Sequence, residues 1–301
     1  MALGLKDNES IGEGLRRIVQ SQLEGAIDEL TKQQLDRAEL IHSLRLHCKQ
    51  MSAILLLLRA VDKDWYKSER KILRDAAATL GGFRDADSML GTLISLCKSA
   101  KLHHGDSKAA LHAQNLLSEF EKQHSDARPA SNEQARSLKG FENAMQLSLQ
   151  RLPDWPVADI DFKTVKRGLV KTYRSGREAM KLTHQSRTDE NLHNWRKLAK
   201  HHCYQLQVIP DGDQRLSKRC QQLAELTKLL GEDHDLAILG RVLKERTGTA
   251  DAMHLLLKAL EKKRAILQKR SWKLGKRVYA EKPRQLRRLI CRTWKQQHRS
   301  K

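Results

Sequence analysis

IHSLRLHCKQMSAILLLL, residues 41–58, is the stretch from which the fold can be read. At 3.6 residues per turn it puts Ile41, Leu44, Cys48, Met51, Leu55 and Leu58 on one helical face, with His42, Arg45 and Lys49 roughly 120° around. LHNWRKLAKHHCYQLQVI, residues 192–209, repeats the pattern. Leu192, Trp195, Ala199, His202 and Leu206 form its apolar face, and His193, Arg196 and Lys200 recur at the same H-x-x-R-x-x-x-K spacing. A second landmark follows each stretch, LGGFRD at 80–85 and LGEDHD at 230–235. His42 and Asp85 are 43 residues apart and His193 and Asp235 are 42 apart, so the chain reads as a tandem duplication of one helical unit. The landmarks read as helix breaks, with Gly81 and Gly231 as C-caps and Asp85 and Asp235 as N-caps of the helices that follow.

Working outward, helical periodicity covers Gly12–Leu30, a helix capped by Ser68 and reaching Leu80, Met89–Leu96, Leu111–Phe120 and a helix from Ser131 to Leu152. The segments 101–107 and 125–131 read as loops. Pro153 and Pro156 bracket Asp154 and Trp155, and two prolines this close cannot sit inside one helix, so the boundary between the halves falls here: 1–152 and 153–301. Asp161 then starts a long basic helix. Asp189 starts the His193 helix, which ends at Pro210-Asp211-Gly212. Helices follow over 216–230, 239–246 and, after a turn at Gly248, 250–279, with a last basic helix beyond Pro283. No stretch alternates with period two. The expected fold is all-α, about ten to twelve helices, arranged as two pseudo-symmetric four-helix bundles forming one composite domain.

Composition fits this. Hydrophobic residues make up 39% of the chain and there are only five prolines, which suits a helix-rich folded protein. No apolar run approaches the roughly 18 residues of a membrane span. The start lacks the basic-then-apolar pattern of a secretory leader. Five cysteines, scattered and never spaced C-x-x-C, suit a reducing compartment, so a cytoplasmic protein is expected. The net charge of +21 is lopsided: residues 1–152 hold 22 Lys/Arg against 20 Asp/Glu, residues 153–301 hold 35 against 16. Lys258–Lys301 alone carries 17 basic and two acidic residues, a density that points to a polyanion or an acidic surface.

The two basic triples have the chemistry to hold phosphoryl oxygens. Guanidinium offers a planar fork, ammonium a point charge, and histidine a donor that gains charge on protonation. A single such histidine is more simply a hydrogen-bonded residue at the edge of a helical core, but recurrence with the same basic companions favours a site. Metal binding is not supported: there is no H-E-x-x-H, and Arg45, Lys49, Arg196 and Lys200 would repel a cation. Catalysis is not supported either. No phosphate loop or nucleophile elbow occurs, and the acidic clusters around Asp85 and Asp235 sit at expected caps.

H42-S-L-R45-L-H-C-K49, LGGFRD at 80–85, the Tyr173-Arg174-Ser175-Gly176-Arg177 run, H193-N-W-R196-K-L-A-K200 and LGEDHD at 230–235 together resemble the CHAD domain, a family named for conserved histidines in an all-α setting. The likeness runs from about Gly12 to about Pro283. It implies binding of inorganic polyphosphate, without turnover and without a cofactor, in a basic central groove or pore lined from both repeats. It also implies an association with polyphosphate granules. On this reading the site comprises Arg16, His42, Arg45, Lys49, Arg84, Tyr173, Arg174, Arg177, His193, Arg196 and Lys200, although Tyr173 serves equally well as a packing residue. Two rivals stay open: nucleic acid held by the basic C-terminal half, and a phosphate-cleaving enzyme.

Overall fold

Four short polar side chains set where major helices begin. Asp36 accepts from the Glu39 amide at 2.9 Å, Asp62 from the Asp64 and Trp65 amides at 2.9 Å each, Asp161 from the Thr164 amide at 2.8 Å, and Thr188 from the Asn191 amide at 3.2 Å. Each supplies an acceptor for amides that have no partner within the first helical turn. The computed structural model describes residues 3–6, 8–32, 34–100, 108–126, 131–209, 213–245 and 250–297. The expected loops at 101–107 and around Pro129, the Pro210–Gly212 stop and the Gly248 turn lie outside these residues, as do the side chains of residues 82–87.

Among the described residues there are eleven α-helices and no strand. They are α1 (Ile11–Lys32), α2 (Arg37–Leu58), α3 (Lys63–Thr79), α4 (Gly81–Ser99), α5 (Lys108–Asp126), α6 (Ser131–Arg151), α7 (Phe162–Gln185), α8 (Asp189–Leu206), α9 (Gln214–Glu245), α10 (Ala250–Val278) and α11 (Pro283–Gln297). The all-α expectation holds. So does the break at Pro153–Pro156, where a 3₁₀ turn, Leu152–Asp154, ends α6 and Trp155 turns extended. No described helix is long and apolar enough to cross a membrane.

The proline boundary does not separate two cores. One core joins α1, α2, α3 and α6 to α7, α8, the first half of α9 and α11, with Leu15, Leu44, Leu55, Leu169, Trp195 and Leu226 among its buried members. A second core takes Leu93 and Leu96 of α4 and Leu116 of α5 together with Leu239 of α9 and Leu256 of α10, so it draws on both halves of the chain.

Three local expectations are corrected. Ser68 lies inside α3, which is capped six residues earlier by Asp62. The first landmark does contain a break, but it falls at Leu80, and Gly81 opens α4 instead of closing α3. The second landmark contains no break, because α9 runs straight through Gly231 and Asp235. A mid-helix glycine costs only about 1 kcal/mol relative to alanine, and packing described below uses the space it leaves.

Helices α2 and α7 approach closely at Gly168, where a Cβ would meet the Leu57 carbonyl oxygen at 2.7 Å and its Cα at 2.8 Å. Backbone cannot move aside as a side chain would. Gly168→Ala is therefore expected to destabilise the fold by about 1–3 kcal/mol, read as a lower denaturation midpoint. An unchanged midpoint would show that α2 and α7 are farther apart than described.

Candidate anion-binding groove

The stripe on α2 reaches its position because the apolar face beside it is buried. Ile41, Leu44, Cys48, Met51, Leu55 and Leu58 are all in the core, which leaves Arg45 and Lys49 half-buried at its edge. The same logic holds on α8, where Leu192, Trp195, Ala199, His202 and Leu206 are buried and Arg196 and Lys200 lie at the rim. The two helices pack against each other, and the Gln205 side-chain amide donates to the Ala53 carbonyl at 2.9 Å in the buried interface.

This packing closes a cavity of about 270 Å³. Helix α2 contributes Arg45, Cys48, Lys49 and Ser52, and α8 contributes His193, Arg196, Lys197, Lys200, His201 and Tyr204. Helix α3 forms the remaining wall with Arg70, Leu73, Arg74 and Ala77. Seven of these side chains are Lys or Arg, and none of the described lining residues is a carboxylate.

Each arginine of the two stripes lies against a landmark glycine. A Cβ on Gly81 would stand 3.9 Å from Arg45 Nη1, and one on Gly231 would stand 3.4 Å from Arg196 Nε and Nη2. The glycines leave room for a guanidinium beside the helix, which is a reason for their recurrence that capping does not supply. Arg45 Nη1 also donates to the Ala77 carbonyl at 3.2 Å, in the last turn of α3, where a cation meets carbonyls that have no helical partner. In the second landmark, buried Asp233 accepts from Arg264 Nε at 3.0 Å and from Gln268 Nε2 at 3.0 Å. Arg264 reaches on to Asp189 at 2.6 Å. That network ties α10 to α9 and to the start of α8.

The histidines of the groove are neutral at pH 7. His193, whose ring centroid is 4.5 Å from that of His234, has its pKa lowered by burial and then by Arg196 and Lys197. His201 is pushed down to about 4, first by burial and then by Arg70, Lys197 and Lys200. The Cys48 thiol is pushed up to about 12 by burial, which outweighs Arg45 and Lys49, so it stays protonated and is a poor nucleophile.

Of the residues expected at the site, the structure brings together Arg45, Lys49, His193, Arg196 and Lys200. His42 is exposed on α2 and outside the lining. Arg16 turns instead to the Trp155 carbonyl, 3.4 Å from its Nη2. Tyr173 is corrected to a packing residue: it is fully buried, it donates to the Glu281 carbonyl at 2.7 Å, and the Arg219 guanidinium lies 5.5 Å from its ring centre. Arg174 is exposed and Arg177 half-buried on the same helix, both outside the groove. The Arg84 side chain lies outside the described residues. Arg70, Arg74, Lys197 and His201 line the groove and were not among the expected residues. Lys197 and His201 follow Arg196 and Lys200 by one position each, so a broader stripe would have included them.

An all-α chain in which two basic helical edges meet over one cleft is the class these observations define. The chain belongs to the CHAD domain family, whose model matches residues 18–244. Among solved structures it is similar to the CHAD domain from the plant Ricinus communis, at 16% identity and a TM-score of 0.60, over 94% of this chain and 96% of that one. It is also similar to PptA from Streptomyces chartreusis, at 15% identity and a TM-score of 0.59, over 90% of this chain and 99% of that one. At these identities the likeness is one of fold. No curated protein matches the sequence.

Burial of the α8 histidines has a consequence for stability. His202 is wholly buried and pushed down to about 3 by burial and then by Arg219, and His193 and His201 are lowered too. Between the unfolded histidine pKa of about 6.5 and the folded values, the unfolded chain binds more protons, so stability is lost as pH falls. Thermal melts are expected to drop between pH 6.5 and 5, above the range of most carboxylates, and His202→Phe should lessen the drop. A melting temperature flat across that window would contradict a neutral, buried His202.

Proposed function

We propose that this chain binds inorganic polyphosphate in the groove formed by α2, α3 and α8, and does so without cleaving it. The observation that carries this reading is the set of seven Lys/Arg side chains around one cavity whose described lining contains no carboxylate. Three arginines and a fourth from α8 offer planar forks, and three lysines add point charges, a mixture suited to a repeating phosphate chain. Membership of the CHAD family supports the same ligand, since some members bind polyphosphate.

Binding without turnover rests on the chemistry of the groove. Its thiol is protonated, and the described residues include no group of three or more His, Cys, Asp or Glu placed to hold a metal ion. A nucleic-acid ligand is less well supported, because the aromatic residues of the basic C-terminal helices α10 and α11 and the turn between them are engaged in packing. Trp272 stacks on His184 at 4.2 Å, Trp294 stacks on Phe162 at 4.3 Å, and Tyr279 is buried, so each is already engaged by a neighbour within the fold. The five cysteines are free thiols, which suits a reducing compartment such as the cytoplasm.

Lys197 is exposed and Arg196 half-buried. Lys197→Ala should leave melting nearly unchanged, as an exposed charge contributes about 0–1 kcal/mol. Each variant, Lys197→Ala and Arg196→Ala, should weaken polyphosphate binding by about tenfold or more, the equivalent of a charge-assisted contact worth roughly 1.5–3 kcal/mol. Calorimetric titration checks both expectations. Unchanged affinity in the two variants would exclude the groove.

Ionic strength supplies an independent check. With about six phosphates neutralised, the logarithm of the binding constant should fall with the logarithm of salt concentration at a slope of roughly 4, by analogy with single-stranded nucleic acid. A flat dependence would replace the extended groove with a small specific pocket.

A further inference from the structure

The last helix, which lies beyond residues 18–244, the span matched by the family, presents a second cationic cleft. Helix α11 buries Leu286, Leu289, Ile290 and Thr293 against the body of the protein, and Trp294 is stacked on Phe162 of α7. Its outward side is thereby fixed in place. Lys166 of α7 with Arg287, Arg288, Arg292 and Lys295 of α11 lines a cavity of about 550 Å³, and none of the described lining residues is acidic. Arg288 and Arg292 are one helical turn apart and Lys295 is about one turn further, giving a row of charges at intervals of roughly 5 Å along the axis.

A third cleft lies between the other two. Arg59 and Lys63, beyond the end of α2 and at the start of α3, face Arg167 and Lys171 of α7 across it. It meets the first groove along α2, where Ser52 lines one cavity and Leu56, one turn on, lines the other. On α8, neighbouring Lys197 and Leu198 divide between the same two cavities. It meets the α7/α11 cleft along α7, where adjacent Lys166 and Arg167 divide between them. The three cavities therefore adjoin one another, with Lys49 and Arg59 flanking the polar and apolar junction on α2 about 15 Å apart along the helix and Lys166 and Arg167 meeting directly on α7.

We propose that the α7/α11 cleft is a second anchoring site for a linear phosphate chain, reached across the Arg59–Lys171 cleft from the α2/α8 groove. The proposal rests on the groove binding polyphosphate as argued above. A long chain then engages two sites joined by its own length, so the second contact is intramolecular and raises affinity without any new chemistry. Nucleic acid is the less suited occupant. None of the described lining residues is aromatic, and the neighbouring Trp294 ring stacks on Phe162. The cleft offers charge without a stacking platform.

The experiment compares triphosphate, short enough for one site, with long-chain polyphosphate by calorimetry on the full chain. The proteins are wild type, Arg288→Glu/Arg292→Glu and Arg196→Ala/Lys200→Ala. Arg288 and Arg292 are exposed, so their replacement spares the packed side of α11. A melt of the variant verifies this, and Arg287→Gln/Lys295→Gln serves if the glutamate pair lowers it. In the α11 variant, triphosphate affinity at the α2/α8 groove should be unchanged while the second triphosphate site is lost, and long-chain affinity should fall by about tenfold or more as the bivalent gain is lost. Long-chain affinity equal to wild type would overturn the second site. Loss of single-stranded DNA binding with long-chain polyphosphate affinity retained would also overturn it, and would give the cleft to nucleic acid. The groove variant reports separately on the underlying reading. If it binds triphosphate as wild type does, the groove assignment fails whatever the α11 variant shows.

Discussion

Packing α2 against α8 brings like charges together, and the rest of the site depends on how that repulsion is relieved. Two unit charges about 8 Å apart repel by about 2 kcal/mol at an effective dielectric of about 20. Seven cations around one cavity therefore carry a repulsion comparable with the whole stability of a domain, about 5–15 kcal/mol, unless protein partners, solvent, counterions or a ligand screen it. The apolar faces hold the helices in place regardless, because Leu44, Leu55, Trp195 and Ala199 are buried in a continuous core. The fold thus holds seven cationic side chains around one cleft whose described lining contains no carboxylate. A multivalent anion relieves the repulsion and releases its condensed counterions in the same step.

The same electrostatics explain the histidines. Burial and the nearby cations drive His193 and His201 down, so in the free protein they add no charge to an already crowded groove. A bound polyanion reverses the sign of the local potential and favours their protonation. The histidines are then proton-linked partners of the ligand, and not permanent cations.

Most helices and the Arg/Lys part of both rim stripes were legible in the sequence, because 3.6-residue periodicity marks the buried face and with it the edge beside it. Tyr173 was harder to place, since its arginine neighbours suggest a binding run. Yet Leu169, Gly176 and Met180 stand at helical intervals from it, and that spacing puts it on the buried side of α7. The landmark glycines were legible as special positions but not for the right reason. Capping is the local explanation, whereas the guanidinium lying against each glycine comes from a helix some 35 residues earlier in the sequence. Arg70 and Arg74 were not legible at all. Which face of α3 looks into the groove depends on its crossing with α2 and α8, and no local pattern encodes that angle. The C-terminal charge read as a basic region becomes, in the fold, one side of a docked helix whose other side is apolar and buried.

The most direct test of the central claim is a crystal structure of the chain with a short polyphosphate bound. Phosphate oxygens within hydrogen-bond distance of Arg45 or Lys49 on one side and of Arg196 or Lys200 on the other would agree with it. Phosphate density that leaves the α2/α8 groove empty would contradict it.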